Sequence, residues 1–285
     1  MGTRPYRGRL APTPTGFLHV GHARTFALAA RRAHGAGGSL LLRMEDLDTA
    51  RCRPGFASAA LEDLRWLGLD WSEGPDKGGP FAPYAQSART PWFREVWRQL
   101  RATGLIYPCD KSRADVERAL SAPHAEEDAE PIFPPELRPA PGAGADAVEP
   151  GPSNWRFRVP DGEAVAFTDA LQGPRRLVAG EDFGDFLVWR RDGLPSYELA
   201  VVADDRAMGV TEVVRGADLL VSTARQLLLY RALGWEPPAW AHAPLVTGPD
   251  GRRLAKRAGG FSIRELRRKG RTPEEVLSAP IGTLG

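Results

Sequence analysis

The stretch Arg9-Leu-Ala-Pro-Thr-Pro-Thr-Gly-Phe-Leu-His-Val-Gly-His22 decides how the chain is read. It passes from a short strand candidate at residues 6–11, through a turn of prolines and glycines, into a helical pattern at residues 23–34. Pro12 and Pro14 stiffen the turn by fixing φ at about −65°. Gly16 and Gly21 permit backbone conformations and close approaches that a Cβ blocks. His19 and His22 stand three residues apart where the helix opens. A helix N-terminus carries unpaired N–H groups and the positive end of the dipole, so it binds phosphate. Two imidazoles beside it can add donors to phosphate oxygens. A histidine pair alone also suits a plain strand–turn–helix connection. The whole fourteen-residue string is far more specific.

Composition bounds the rest. At 285 residues the chain can fill two modest domains, and 42% hydrophobic with 26% charged residues suits a soluble globular protein. A formal net charge of +2 neither demands nor excludes a nucleic-acid partner. Two cysteines, Cys52 and Cys109, cannot make a disulfide framework or a four-thiolate zinc site, and they fit a reducing cytoplasm. No apolar run reaches the roughly 20 residues of a membrane span. Residues 1–7 lack the apolar segment of a signal peptide.

Residues 39–44, Ser-Leu-Leu-Leu-Arg-Met, read as a buried parallel strand. Glu45-Asp-Leu-Asp48 follows at its carboxyl end, where ligands sit in open α/β sheets. The plainer alternative is a solvated acidic loop. Residues 56–67 form an amphipathic helix with Phe56, Ala60, Leu64 and Leu67 on its stripe. A further helix starts at Thr90-Pro91 and buries Trp92, Phe93, Val96, Trp97 and Leu100. Residues 121–152 turn to Pro, Ala, Gly and acids, the composition of a long loop. Two strand candidates follow at 155–159 and 164–168, and residues 185–190 lead back toward the main sheet. Val213 and Val214 put Arg215 at the end of a buried strand, where a guanidinium needs an anionic partner. Asp204, Asp205 or Asp218 could serve inside the chain, and a ligand carboxylate would match the fork in two parallel bonds. A helix spans 222–233. Ser262-Ile-Arg-Glu265 and Thr272-Pro-Glu-Glu275 open two short helices. Residues 252–271 are dense in Arg and Lys, either a phosphate-contacting patch or a solvated tail.

His19-Val-Gly-His22 resembles the "HIGH" signature of class I aminoacyl-tRNA synthetases, and Arg9-Leu-Ala-Pro-Thr-Pro-Thr-Gly16 is similar to the glutamyl/glutaminyl branch. The resemblance implies that His19, Gly21 and His22 hold ATP. Arg43-Met-Glu-Asp-Leu-Asp48 resembles R-I-E-D-T-D, which makes Glu45 the ligand of the substrate ammonium. The block from Leu194 to Leu220 matches the branch closely. It places Tyr197 and Arg215 on the amino-acid side chain, with Arg9 as a second cation and Thr13 in place of a more usual serine. Arg253-Leu-Ala-Lys-Arg257 resembles "KMSKS" imperfectly and keeps Lys256, implied to act on the α-phosphate and pyrophosphate. The catalytic set is thus His19, His22 and Lys256.

The implied fold is α/β: a Rossmann-like parallel sheet of the class I type, an inserted smaller α+β subdomain and a short C-terminal helical tail. The expected boundaries are 1–104 and 186–248 for the two catalytic halves, 105–185 for the insert and 249–285 for signature loop and tail. The insert resembles one that often carries zinc. Here Lys111 stands for the second thiol, Phe133 and Leu137 for two further ligands, and His124 with Cys109 is too few. No zinc is expected, and Phe133 and Leu137 are expected to pack in its place. Full glutamyl and glutaminyl enzymes continue into an anticodon-binding domain, expected absent here. A core of this length resembles the glutamyl-Q tRNA(Asp) synthetase family. That likeness implies a cytoplasmic monomer using ATP and Mg²⁺ to activate L-glutamate without tRNA, then attaching it to queuosine in tRNA(Asp). Alternatives are another acceptor, a non-catalytic paralogue, or a nucleotidyltransferase of the same fold.

Overall fold

The computed structural model describes residues 4–111, 115–116, 132–246, 262–279 and 284. In chain order its first elements are β1 (Arg7–Leu10), α1 (Val20–Gly35), β2 (Ser39–Leu42), α2 (Pro54–Trp66), α3 (Thr90–Ala102) and β3 (Ile106–Cys109). Then come β4 (Asn154–Phe157), β5 (Ala164–Asp169), β6 (Gly173–Val178), β7 (Phe186–Trp189) and α4 (Tyr197–Ala207). The last are β8 (Glu212–Gly216), α5 (Leu220–Ala232), β9 (Ala239–Ala243), α6 (Ile263–Arg268) and α7 (Pro273–Ser278). The chain divides into two compact units, one of Met1–Arg89, Ala207–Leu219 and Pro238–Gly285, the other of Thr90–Arg206 and Leu220–Pro237.

The first unit is built on parallel strands. β1 pairs with β2 and β8 with β9, both parallel. The pairs meet where Thr211 donates its N–H to the Arg7 carbonyl at 2.9 Å. Both faces of such strands are covered, so β2 reads as an unbroken leucine run rather than an alternation. Leu10, Leu42, Val214 and Ala241 share one apolar core with Ala23 and Phe26 of α1, Leu64 of α2, and Ile263, Leu266 and Val276 of α6 and α7. Glu212 ties α1 to the sheet by accepting from Arg32 Nε and Nη2 at 2.7 and 2.6 Å and from the Tyr6 hydroxyl at 2.6 Å.

Three local readings shift. α1 begins at Val20 rather than 23, because His19 itself caps it. The turn after α1 lies beyond Gly35: Gly37 is left-handed (φ +59°), and a Cβ on Gly38 would sit 2.4 Å from the Tyr6 carbonyl oxygen. α2 begins at Pro54, a residue whose fixed φ suits the first helical position.

α2 also buries an acid. Asp63 is fully buried, neither carboxylate oxygen has a hydrogen-bond partner among the described residues, and Arg264 Nε stands 4.0 Å from Oδ1. Burial pushes its carboxyl up to about 6, against the pull of Arg264 and Arg267 and with a small push from Glu62. The folded state therefore holds this proton more tightly than the unfolded chain. Its stabilising contribution is complete below about pH 4 and is lost as pH rises through about 6, a swing of about 3 kcal/mol. We expect Asp63→Asn to raise the urea midpoint over wild type at about pH 8, with a gain that shrinks toward about pH 4. A gain independent of pH would contradict this account.

The second unit carries an antiparallel sheet in the order β3-β4-β7 and a separate hairpin, β5–β6. Pro108 lies in β3, an edge strand, where a missing donor is tolerated. α3 buries Phe93, Val96, Trp97 and Leu100 as its pattern predicts. Trp92 is only half-buried; it stacks on Trp235 and donates to the Ala203 carbonyl. β7 pairs with β4, so residues 186–189 extend the antiparallel sheet instead of leading into the parallel one. β6 went unread because Gly173-Pro-Arg-Arg176 carries little strand signal. The buried Asp169 fixes its turn by accepting from the N–H groups of Leu171 and Gln172.

Tyr107, Cys109, Val116 and Phe133 form an apolar cluster with Leu137 packed on it. Beside it Asp185, whose side chain is completely buried, accepts from Arg138 Nε and Nη2 (2.8 and 2.7 Å), the Tyr107 hydroxyl (2.5 Å) and the Val159 N–H (2.9 Å).

Candidate active site

The turn and the helix start of the opening string form one preorganised corner. His19 Nδ1 accepts the Gly21 N–H at 3.1 Å, and His22 Nδ1 accepts the His19 N–H at 3.3 Å. The two histidines thus cap the helix reciprocally, with ring centroids 3.7 Å apart. A neutral imidazole whose Nδ1 accepts carries its proton on Nε2, so both rings keep a donor there. Gly21 is needed by the cap itself: a Cβ on it would lie 3.0 Å from His19 Cε1. Among the described residues, chain neighbours aside, no atom stands within 4 Å of a Cβ built on Gly16, and their packing makes no such demand there.

Backbone bonds fasten the acidic corner to this turn. The N–H groups of Arg43, Glu45 and Arg53 donate to the carbonyls of Leu10, Pro12 and Pro14 at 2.8, 3.0 and 3.1 Å. Glu45 is buried, and Arg43, completely buried two residues earlier, donates from Nη2 to its Oε1 at 3.0 Å. Asp46 is fixed by the Ser87 N–H and hydroxyl at 2.8 and 2.6 Å. Thr13 is exposed on the turn. An open cleft of about 360 Å³ is lined by Pro14, Asp46, Thr49, Cys52, Arg53, Pro54 and Ala57. Burial and the nearby Asp46 and Asp48 carboxylates push the Cys52 thiol up, which disfavours the thiolate a covalent nucleophile needs.

Two buried arginines belong to this region of the first unit. Arg9 on β1 reaches across to donate from Nη1 to the Val214 carbonyl at 2.9 Å, and Arg215 is the next residue along. Both are about 4% exposed and lie toward the carboxyl ends of their strands. Arg215 Nε donates to His242 Nε2 at 3.1 Å, and its Nη2 to the Leu219 carbonyl at 3.3 Å. Arg9, Thr13, His19, Gly21, His22, Glu45 and Arg215 all belong to the first unit. Tyr197 opens α4 in the second unit and is 38% exposed. Lys256, with the rest of Arg253–Arg257, and His124 lie outside the described residues. In the basic stretch 252–271, the described Arg264 and Arg267 pack on α2, over Phe17 and Trp66.

Among the described residues no group of three or more His, Cys, Asp or Glu could hold a metal, and Cys109 is buried in an apolar cluster. No helix of the described chain is long and apolar enough to cross a membrane. Sequence reading missed Arg43 and His242. Each is a polar residue inside an otherwise apolar strand run, and that interruption was the available signal.

Residues 6–283 match the family described as tRNA synthetases class I (E and Q), catalytic domain. The chain is 51% identical over 277 residues to the glutamyl-Q tRNA(Asp) synthetase of Symbiobacterium thermophilum, covering 95% of this chain and 84% of the relative. It is 48% identical to the protein of the same name in Nitratidesulfovibrio vulgaris, covering 93% and 82%. Among solved structures, a glutamate tRNA ligase from Elizabethkingia meningosepticum in complex with its amino acid superposes with a TM-score of 0.74 at 31% identity. The match covers 90% of this chain and 53% of the ligase, so the chain spans about half the length of that solved structure. The chain belongs to the class I aminoacyl-tRNA synthetases of the glutamate and glutamine type, and it is a ligase with that family's α/β catalytic fold.

Proposed function

We propose that the chain activates L-glutamate with ATP, without needing tRNA for that step, and transfers it to queuosine in the anticodon loop of tRNA(Asp). The observation that carries the choice of substrate is the pair of buried guanidinium groups, Arg9 and Arg215, on neighbouring strand ends at β8. Two buried cations, one bonded to the backbone of Val214 and the other on the next residue, suit a side-chain carboxylate and disfavour a neutral amide. The names of the relatives at 51% and 48% identity support the acceptor.

In this reading the glutamate α-carboxylate attacks the α-phosphorus of ATP in line, forming glutamyl-adenylate and releasing pyrophosphate. Glu45, steadied by Arg43, receives the α-ammonium group. Arg9, Arg215 and Tyr197 take the side-chain carboxylate, with Thr13 as a neighbouring hydroxyl. The Nε2–H donors of His19 and His22 meet phosphate oxygens at the helix end, and Gly21 admits the nucleotide close to the backbone. Lys256 stabilises charge developing on the phosphates, a term that often reaches about 3 to 4 kcal/mol per donor. Mg²⁺ enters with the nucleotide as its counter-ion. No residue forms a covalent bond, so positioning and charge supply the catalysis. A hydroxyl of the queuosine cyclopentene ring then attacks the adenylate carbonyl, and AMP leaves.

Transfer of labelled glutamate to tRNA(Asp), prepared with and without queuosine, tests the acceptor. Labelling confined to the queuosine-containing tRNA is expected. Equal labelling of both, or labelling lost from tRNA whose 3′-terminal adenosine has been removed, would contradict it.

A further inference from the structure

The Arg215 side chain does not set its own direction. It lies opposite His242 in the parallel register of β8 and β9, and equivalent residues there project on the same face. His242 is completely buried, and its Nε2 is 3.1 Å from Arg215 Nε. A guanidinium has donors only, so the imidazole must accept. His242 is therefore neutral at Nε2 and carries its ring proton on Nδ1. The second bond, from Nη2 to the Leu219 carbonyl, holds the outer part of the fork. Together the two bonds fix the plane of the guanidinium at its inner edge.

We infer that His242 is a positioning residue for substrate selection: by accepting from Arg215 Nε, it aims the fork so that a side-chain carboxylate, rather than an amide or a shorter acid, is met in the right plane. Bidentate recognition depends on that plane, because two parallel N–H donors must reach two oxygens together. A loosened fork keeps its charge but loses the geometry. This inference rests on Arg215 binding the substrate carboxylate.

The test is ATP–pyrophosphate exchange by the full chain, with KM measured separately for glutamate and ATP, and with glutamine as competing substrate. His242→Leu removes the acceptor and keeps the bulk. His242→Gln offers a carbonyl oxygen at a reach similar to Nε2. With His242→Leu we expect the KM for glutamate to rise about tenfold or more, as for loss of one oriented charge-assisted contact. The KM for ATP should stay within about twofold, and preference for glutamate over glutamine should fall. His242→Gln should restore most of both. If the leucine variant does not fold, His242→Asn, polar but too short to reach, should show the same split against the glutamine variant. A KM for glutamate that does not move, or one that rises equally with that for ATP, would overturn the inference. Loss of exchange in Arg215→Ala beside an unaffected His242→Leu would overturn this proposal alone. An unaffected Arg215→Ala would remove the underlying reading and this proposal with it.

Discussion

Replacing Arg215 with alanine is expected to abolish glutamate activation in practice, lowering kcat/KM for glutamate by about a hundredfold to a thousandfold while the fold survives. The size follows from the site. Arg215 is buried at the end of β8, so a carboxylate meeting it would be desolvated there. Removing one partner of such a pair costs about 2 to 5 kcal/mol, much of it the penalty on the charge left behind. The fold should tolerate the change, because the bonds from Arg215 to His242 and Leu219 link neighbouring parts of one sheet edge whose apolar packing on Val213 and Val214 remains. Each such loss is worth about 1 to 3 kcal/mol at most. ATP binding should be unaffected. The check is kcat/KM for glutamate beside thermal unfolding of the same sample; unchanged activation would remove the carboxylate role from Arg215.

Asp185→Ala should be the most destabilising single change in the second unit, at about 3 to 5 kcal/mol. Three buried donors converge on this carboxylate: the Arg138 fork, the Tyr107 hydroxyl and the Val159 N–H. Taking the acceptor away leaves all three without it in a place water does not reach. Asp161 also pairs with Arg138 but is far more exposed, so it compensates little. Burial and the Asp185 charge hold the Tyr107 hydroxyl well above its usual range, so that proton stays in place throughout ordinary pH. Urea unfolding followed by tryptophan fluorescence checks this, since Trp97, Trp155 and Trp189 are buried in this unit, with Trp71→Phe and Trp240→Phe as the background that removes buried indoles of the first. A loss under about 1 kcal/mol would mean that the apolar cluster of Tyr107, Cys109, Val116 and Phe133 carries the insert without the ion pair.

What the sequence made legible follows physical range. The body of the first helix, the leucine strand at 39–42, the Thr90-Pro91 helix and the helix opened at Thr272 all depend on neighbours within a few residues, and all form; the histidine cap at residue 19 was not read. Arg215 at the end of a buried strand was also readable, because Val213 and Val214 announce the burial. The partners across the fold were not. His242 meets Arg215 from 27 residues away, and Asp185 meets Arg138 from 47. Asp63 hid for another reason: an acid within an amphipathic helix is normally solvent-facing, and only the packing of α6 on α2 encloses it. The pairing of β7 with β4 was missed because strand periodicity carries no information on which strand is the partner.

The account stands most directly on adenylate formation. The measurement is ATP–pyrophosphate exchange with each amino acid in turn, in the complete absence of RNA. The account predicts exchange with glutamate and none with aspartate or glutamine. Exchange with no amino acid, or only after tRNA is added, would contradict it.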